Sequence, residues 1–221
     1  MKIVAVIPAR GGSKSIKNKN IYKIKNKPLI FYSIETAIKS NVFDKIIVSS
    51  DSDKILSLAS KFKSIETIKR PRKISNDKAQ TVDALLHVLK KLNNNNNFPE
   101  IIITLEPTSP LRSKKTIINA IKVFKSNKDI DSLISVVETK SLYGKIKSGI
   151  FKYNENKIIR RRQDRNPLFK ETGTIWGTRV KYLVKFKKVV GGKIYPLIIN
   201  KNEDLDINNK EDINIFKKLL K

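Results

Sequence analysis

Short runs of apolar residues alternate along this chain with longer stretches whose apolar residues recur every three or four positions. That alternation restricts the fold more than any other feature, because unbroken apolar runs suit strands buried on both faces and the helical period suits amphipathic helices. Residues 3–7 (Ile-Val-Ala-Val-Ile) read as the first buried strand. Pro28 can occupy the first turn of a helix on which Ile30, Ile34, Ala37 and Ile38 share a face. Residues 46–48 are a second strand, and Ile55, Leu58, Ala59 and Phe62 follow at helical spacing. A helix over 82–92 runs into a low-complexity loop of asparagines at 93–97, and residues 101–103 with Leu105 make a third strand. Ser113 can cap a helix carrying Ile117, Ala120, Ile121 and Phe124. Residues 133–137 form a further strand. This β-α-β-α order predicts an α/β protein of three layers, a mostly parallel, Rossmann-like sheet with helices on both faces.

After residue 138 the pattern changes. Residues 143–159 are short, polar and punctuated by Gly and Asn, as in hairpins. Strand character returns at Ile175-Trp176 and at 194–199, and 210–220 reads as a closing helix. With no repeat and no clear linker, the expectation is a single domain over 1–221 with an arm at 139–170.

The chain has no cysteine, so disulfides and thiolate metal sites are excluded. No apolar run approaches the roughly 20 residues that span a membrane, and the first apolar stretch is too short for a secretory core. A cytoplasmic protein with no membrane partner is expected. Lys and Arg number 47 against 20 Asp and Glu, a formal charge of +27. Such a balance suits a polyanion partner. Yet the lysines are scattered over every segment, and Lys, Ile and Asn are abundant together, as A/T-rich codons would make them. Salt-sensitive, non-specific nucleic-acid binding is expected, and a specific nucleic-acid partner is not.

In open α/β sheets ligands bind beyond the carboxyl ends of the strands. Four polar segments fall there: 10–20, 49–51, 106–112 and 203–206. The first, in "IPARGGSKSIKNKN", sets Gly11, Gly12 and Ser13 among Arg10, Lys14, Lys17 and Lys19. It has neither the spacing of a Walker loop nor that of the dinucleotide fingerprint. A Gly-Gly-Ser turn that presents backbone N–H groups beside cations can still cradle a triphosphate. His87, the only histidine, lies off the apolar stripe of its helix and reads as a surface or boundary residue. Tyr143, Tyr153 and Phe169 read as packing residues.

Five segments resemble the acylneuraminate cytidylyltransferases. They are "IPARGGSKSIKNKNI", "KRPRKISNDKAQT" (69–81), "EPTSPLR" (106–112), "RRRQDRNPLFKETGTIW" (160–176) and "EDLDIN" (203–208). They occur in the family's order over nearly the whole chain. The resemblance implies a nucleotide-diphospho-sugar transferase fold and CTP-dependent activation of an acidic 2-keto sugar, feeding surface glycan synthesis. It implies that Arg10, Gly11, Gly12, Ser13 and Lys19 hold the phosphates. Asn20, Arg70 and Thr81 would recognise ribose and cytosine. Asp204 and Asp206 would bind Mg²⁺, and on a strand end both carboxylates would point the same way. Lys145, Arg162, Gln163 and Glu106 would handle the sugar, in part across a homodimer formed by the arm. Arg10, Lys19 and Asp206 would be the catalytic set. This sequence departs from the family's pattern at Glu106, where Gln is usual, and at Thr172 and Trp176, where Asn and Tyr are usual; the interval from Asp206 to Asp212 also runs longer. Other readings are a KDO or sugar-1-phosphate nucleotidyltransferase of the same fold, or a basic nucleic-acid-binding protein without catalysis.

Overall fold

The computed structural model describes every residue except Lys14, residues 94–97, Asn156 and Lys221. One cation of the predicted cradle and most of the asparagine loop therefore lie outside the described residues.

The chain runs β1 (Ile3–Pro8), two short strands β2 (Lys23–Ile24) and β3 (Lys27–Pro28), α1 (Leu29–Ser40), β4 (Lys45–Ser50), α2 (Asp53–Ala59), β5 (Ile65–Lys69), α3 (Thr81–Asn93), β6 (Ile101–Thr104), α4 (Lys114–Ser126), β7 (Ser132–Thr139), a hairpin of β8 (Gly144–Lys147) and β9 (Ile150–Tyr153), β10 (Leu168–Arg179), α5 (Val180–Phe186), β11 (Ile194–Ile198) and α6 (Lys210–Leu219). Seven strands make one sheet in the order β11-β7-β10-β6-β1-β4-β5. Every pairing in it is parallel except those of β10, which runs antiparallel between β6 and β7.

The apolar run of β1 explains the three layers. Successive side chains of a strand point to opposite faces. Ile3, Ala5 and Ile7 enter the core shared with α1, α2 and α4, while Val4 and Val6 enter the core beneath α3 and α5. All five are essentially inaccessible to water. Each large apolar side chain so buried contributes about 1.5–3 kcal/mol. Ser113 caps α4 as its position suggested, its Oγ accepting from the Thr116 N–H at 3.2 Å.

A third, smaller core holds the two halves of the functional rim together. Ile16, Ile24 and Leu29 pack against Ile207, Ile213 and Phe216, so α6 is clamped onto the loop that follows β1. Asn209 and Asp212 form a capping box at the start of α6, with bonds of 3.0 and 2.9 Å. Asp212, which looked displaced from the aspartate motif, thus has a structural job.

Three expectations change. The sequence pattern does not reveal β5, because it is an edge strand with an exposed outer face and its apolar pattern is broken by Glu66, Thr67 and Lys69. The arm is shorter than 139–170: Thr139 pairs with Leu168 and Glu138 with Phe169, so both ends belong to the central sheet and the hairpin β8–β9 stands outside it. Tyr143 and Phe169 are exposed rather than packed, and Tyr153 meets Phe151 edge-on at 4.9 Å.

Candidate active site

The carboxyl ends of β1, β5 and β6 open onto a cleft of about 470 Å³. Of the residues expected to bind nucleotide, Arg10, Gly12, Ser13, Lys19, Asn20, Arg70 and Thr81 all line it, and Glu106 does too. Gly11 does not. Its N–H is already given to Asp51 Oδ1 at 2.8 Å, and a Cβ there would fall 2.9 Å from that of Ser52. Glycine is needed at that position for close approach to the start of α2, while Gly12, around which there is open space, is the glycine that faces the cleft.

The cations are held in different ways. Arg10 reaches across the cleft to Asp77, with Nη1 2.8 Å from Oδ1, and donates to the Asn76 carbonyl at 3.4 Å. Its own carbonyl accepts from Asn20 Nδ2 at 2.9 Å. Lys19 donates to the Ile207 carbonyl at 2.8 Å, which fixes it beside the aspartate segment. Burial lowers its pKa, against the opposing pull of Asp206 and Glu106. Arg70 is buried and its Nε has no hydrogen-bond partner among the described residues. Burial also lowers its pKa, while Asp51 and Glu106 act in the other direction. A buried guanidinium with an unmet donor favours an incoming acceptor, since leaving such a group unpaired costs about 1–3 kcal/mol.

Glu106 stands at the end of β6 with Thr81 Oγ1 3.5 Å from its carboxylate. Burial pushes its pKa up to about 7; Asp206 adds to the rise, and Arg112 and Arg70 oppose it. Arg112, to which the sequence pattern assigns no role, fixes this corner. It is buried, donates to the Glu106 carbonyl at 2.9 Å and to Ser33 Oγ at 3.1 Å, and donates through Nε to the Thr174 carbonyl. Burial lowers its pKa to about 10 in spite of Glu106 and Glu203. The signal for it was present in "TSPLR", where an arginine ends an otherwise apolar and small stretch. Asn76, Asp77 and Gln80 also line the cleft. Asn76 turns the chain there, its Oδ1 accepting the N–H groups of Lys78 and Ala79 at 2.9 and 3.0 Å.

The aspartate pair does not sit on a strand. β11 ends at Ile198, and Asp204 and Asp206 follow a short 3-10 turn, so the alternation of a strand does not aim them at one point. Asp204 is ion-paired with Lys170, whereas Asp206 accepts from Asn208 Nδ2 at 2.7 Å and acts electrostatically on Lys19 and Glu106. Glu203 anchors the segment to α4, accepting from the Ser113 N–H at 3.1 Å and from Thr116 Oγ1 at 2.7 Å. Lys145 on β8, and Arg162 and Gln163 in the turn at 162–164, are exposed and line no part of this cleft. Thr172 is buried against Ser135, 2.7 Å between hydroxyls, so its departure from Asn is absorbed by the sheet. His87 is half-buried on α3 outside the cleft, its pKa lowered by burial.

Three cations, a glycine turn and an acidic segment thus converge from four distant stretches of chain on one rim of a parallel sheet. The chain belongs to the cytidylyltransferase family, whose model matches residues 4–206. It is therefore an enzyme, a CTP-using nucleotidyltransferase. Among its relatives are the pseudaminic acid cytidylyltransferase of Campylobacter jejuni, 28% identical over 100% of this chain and 97% of that one, and the CMP-N,N'-diacetyllegionaminic acid synthase of Legionella pneumophila, 29% identical over 100% and 97%. The N-acylneuraminate cytidylyltransferase of Escherichia coli O18:K1:H7 is 28% identical over 97% of this chain, which spans 51% of that longer protein. The fold is that of a CMP:2-keto-3-deoxy-manno-octonic acid synthetase solved with CTP, with a TM-score of 0.75 at 15% identity, covering 100% of this chain and 98% of that one. It is also that of a 4-diphosphocytidyl-2C-methyl-D-erythritol synthase from Anaerococcus prevotii, with a TM-score of 0.71 at 15% identity over 99% and 98%. Among the described residues no helix is long and apolar enough to cross a membrane.

Proposed function

We propose that this cytidylyltransferase transfers CMP from CTP to an acidic 2-keto sugar of the ulosonic type, such as sialic, legionaminic or pseudaminic acid, releasing pyrophosphate. The product would be the activated donor for a surface glycan, made in the cytoplasm where CTP is available. The observation that carries the reading is the gathering of Arg10, Lys19 and Arg70 in one cleft beside Asp206. In the reaction the anomeric hydroxyl oxygen of the sugar bonds to the α-phosphorus of CTP, the bond from that phosphorus to the β-bridging oxygen breaks, and pyrophosphate departs with the electron pair. Arg10 and Lys19 balance the charge on the phosphates and on the leaving group, the term that dominates such catalysis. Arg70, Asn20 and Thr81 orient the nucleoside, with the unmet Arg70 Nε as a ready donor.

Mg²⁺ fits this donor set as an ion shared with the substrate. Among the described residues no three His, Asp or Glu side chains form a cage. Mg²⁺ usually takes one or two carboxylates and completes its shell with phosphate and water. Asp206 would hold it, and Asp204 would join after release from Lys170. Bound there, the ion would draw charge from the phosphates and ease loss of the acceptor proton.

The active form is a homodimer in this proposal. The hairpin β8–β9 leaves Ile146 76% and Ile150 61% exposed, with Phe151 also bare, on an element outside the main sheet. A two-stranded hairpin is marginal in water unless something covers it. A second copy would do so and could bring Lys145, Arg162 and Gln163 to the neighbouring site. The test of the activity is pyrophosphate release from CTP with N-acetylneuraminate, legionaminate, pseudaminate and KDO in turn. Release with one or more of the nonulosonic acids is expected, and none with any acid would overturn the reading.

A further inference from the structure

The segment that carries Asp204 and Asp206 is fixed at both ends. At Glu203 the backbone carbonyl accepts from Thr174 Oγ1 at 2.9 Å, and the carboxylate accepts from the Ser113 N–H and from Thr116 Oγ1. Ile207 is fully buried; its N–H donates to the Thr108 carbonyl at 2.8 Å and its own carbonyl accepts from Lys19. Between these points the Asp204 N–H donates to the Lys201 carbonyl at 3.2 Å and closes a turn. The backbone is therefore held, and what remains free to change is the partner of each carboxylate.

Each carboxylate has a lysine of its own. Lys170 is ion-paired with Asp204, and Lys19 lies close enough to Asp206 to feel its charge. Lys170 stands on the exposed first part of β10, opposite Val137, and shares a face with buried Thr172 two residues on. So β10 grips the acidic segment twice, through Thr174 at the backbone and through Lys170 at a carboxylate. The two grips differ. Thr174 is buried, whereas the Lys170 side chain is 51% exposed against 18% for that of Asp204. The ammonium can swing into water and the recessed carboxylate cannot follow it. An ion pair with one exposed partner is held weakly, so Lys170 is the contact that can be given up.

Resting on the metal reading of the function proposed above, we infer that Lys170 is a positioning residue that stands in for the metal: it holds Asp204 until the nucleotide arrives and then yields it, so that a divalent cation binds with CTP and not before it. The charges carry the argument. Asp204 and Asp206 set against Lys170 and Lys19 leave no net negative charge to draw in a divalent ion. CTP changes that balance, because its phosphates engage Lys19, which lines the cleft, and add oxygen ligands of their own. Asp206 is then released from its counter-charge, and Lys170 is the remaining obstacle to a two-carboxylate site. Because Glu203 and Ile207 are pinned, Asp204 is already in place when Lys170 leaves it.

The experiment titrates the full-length, chelator-treated protein with Mn²⁺ in the absence of nucleotide and follows free Mn²⁺ by electron paramagnetic resonance. In Lys170→Gln the dissociation constant should fall about tenfold below that of the parent, the effect of one unit charge beside a divalent ion at the dielectric of water. Lys170→Arg keeps a cation on Asp204 and should bind as the parent does. Lys201→Gln removes an equal charge from the exposed neighbouring turn. At about 0.1 M salt it should stay within about twofold of the parent, because solvent and ions screen it. A gain in Lys170→Gln below about twofold, no measurable binding included, would overturn the stand-in. So would an equal gain in Lys201→Gln. Tight binding by Lys170→Gln that survives the addition of Asp206→Asn would put the ion elsewhere and overturn the metal reading together with this inference. No turnover enters these titrations, so a failure of the transfer reaction itself is seen separately, as absent pyrophosphate release.

Discussion

Replacing Glu106 by Gln should stabilise the ligand-free protein, and by an amount that depends on pH in a calculable way. Burial lifts the Glu106 carboxyl from 4.5 to about 7. One pKa unit corresponds to about 1.4 kcal/mol, so the rise from 4.5 to about 7 amounts to about 3.5 kcal/mol. The sign follows from proton counting. Between pH 4.5 and 7 the unfolded chain has lost this proton and the folded chain has kept it. Stability therefore falls as pH rises through that window, and above pH 7 the full loss is present. Gln resembles the neutral acid in shape and cannot ionise, so the variant escapes this term. Parent and Glu106→Gln should melt together near pH 4.5 and diverge steadily up to about pH 7. At pH 8 the variant should be ahead by about 3.5 kcal/mol, roughly 7–14 °C for a chain of this size. Calorimetry in chelator-treated buffer at four or five pH values is the measurement. A difference in melting temperature that does not vary between pH 4.5 and 8 would refute the buried, proton-retaining carboxyl. The same variant bears on specificity. At pH 8, where Glu106 is ionised and only accepts hydrogen bonds while Gln also donates, the ranking of kcat/KM among acceptor sugars should move about tenfold, with the KM for CTP nearly constant.

Arg10→Ala should lower turnover about 100-fold or more, the usual scale for one charge-stabilising donor, and leave the melting temperature within a few degrees, because the side chain supports no core; normal turnover would remove it from the phosphate cradle. Asp206→Asn should abolish activity at ordinary Mg²⁺ while calorimetry still detects CTP binding, and full activity would exclude Asp206 as a metal ligand. Ile146→Lys with Ile150→Lys should shift sedimentation at micromolar concentration from dimer to monomer, and a parent that sediments only as monomer would defeat the dimer.

The unbroken apolar run of β1 by itself determined that both faces of the sheet are covered: five consecutive apolar residues can all be buried only between two layers. The rim was equally legible, since strand ends followed by polar segments have to meet wherever the strands are parallel and adjacent. Local pattern could not reach the direction of β10, whose antiparallel course depends on which neighbours it finds between β6 and β7. Nor could it show that Gly11 serves Ser52 rather than a ligand, that Lys170 occupies Asp204, or that Arg112 ties Glu106 to Thr174. The contacts of Lys170 with Asp204, Gly11 with Ser52 and Arg112 with Thr174 join residues 34, 41 and 62 positions apart. Sequence spacing describes only what lies within a turn or a strand.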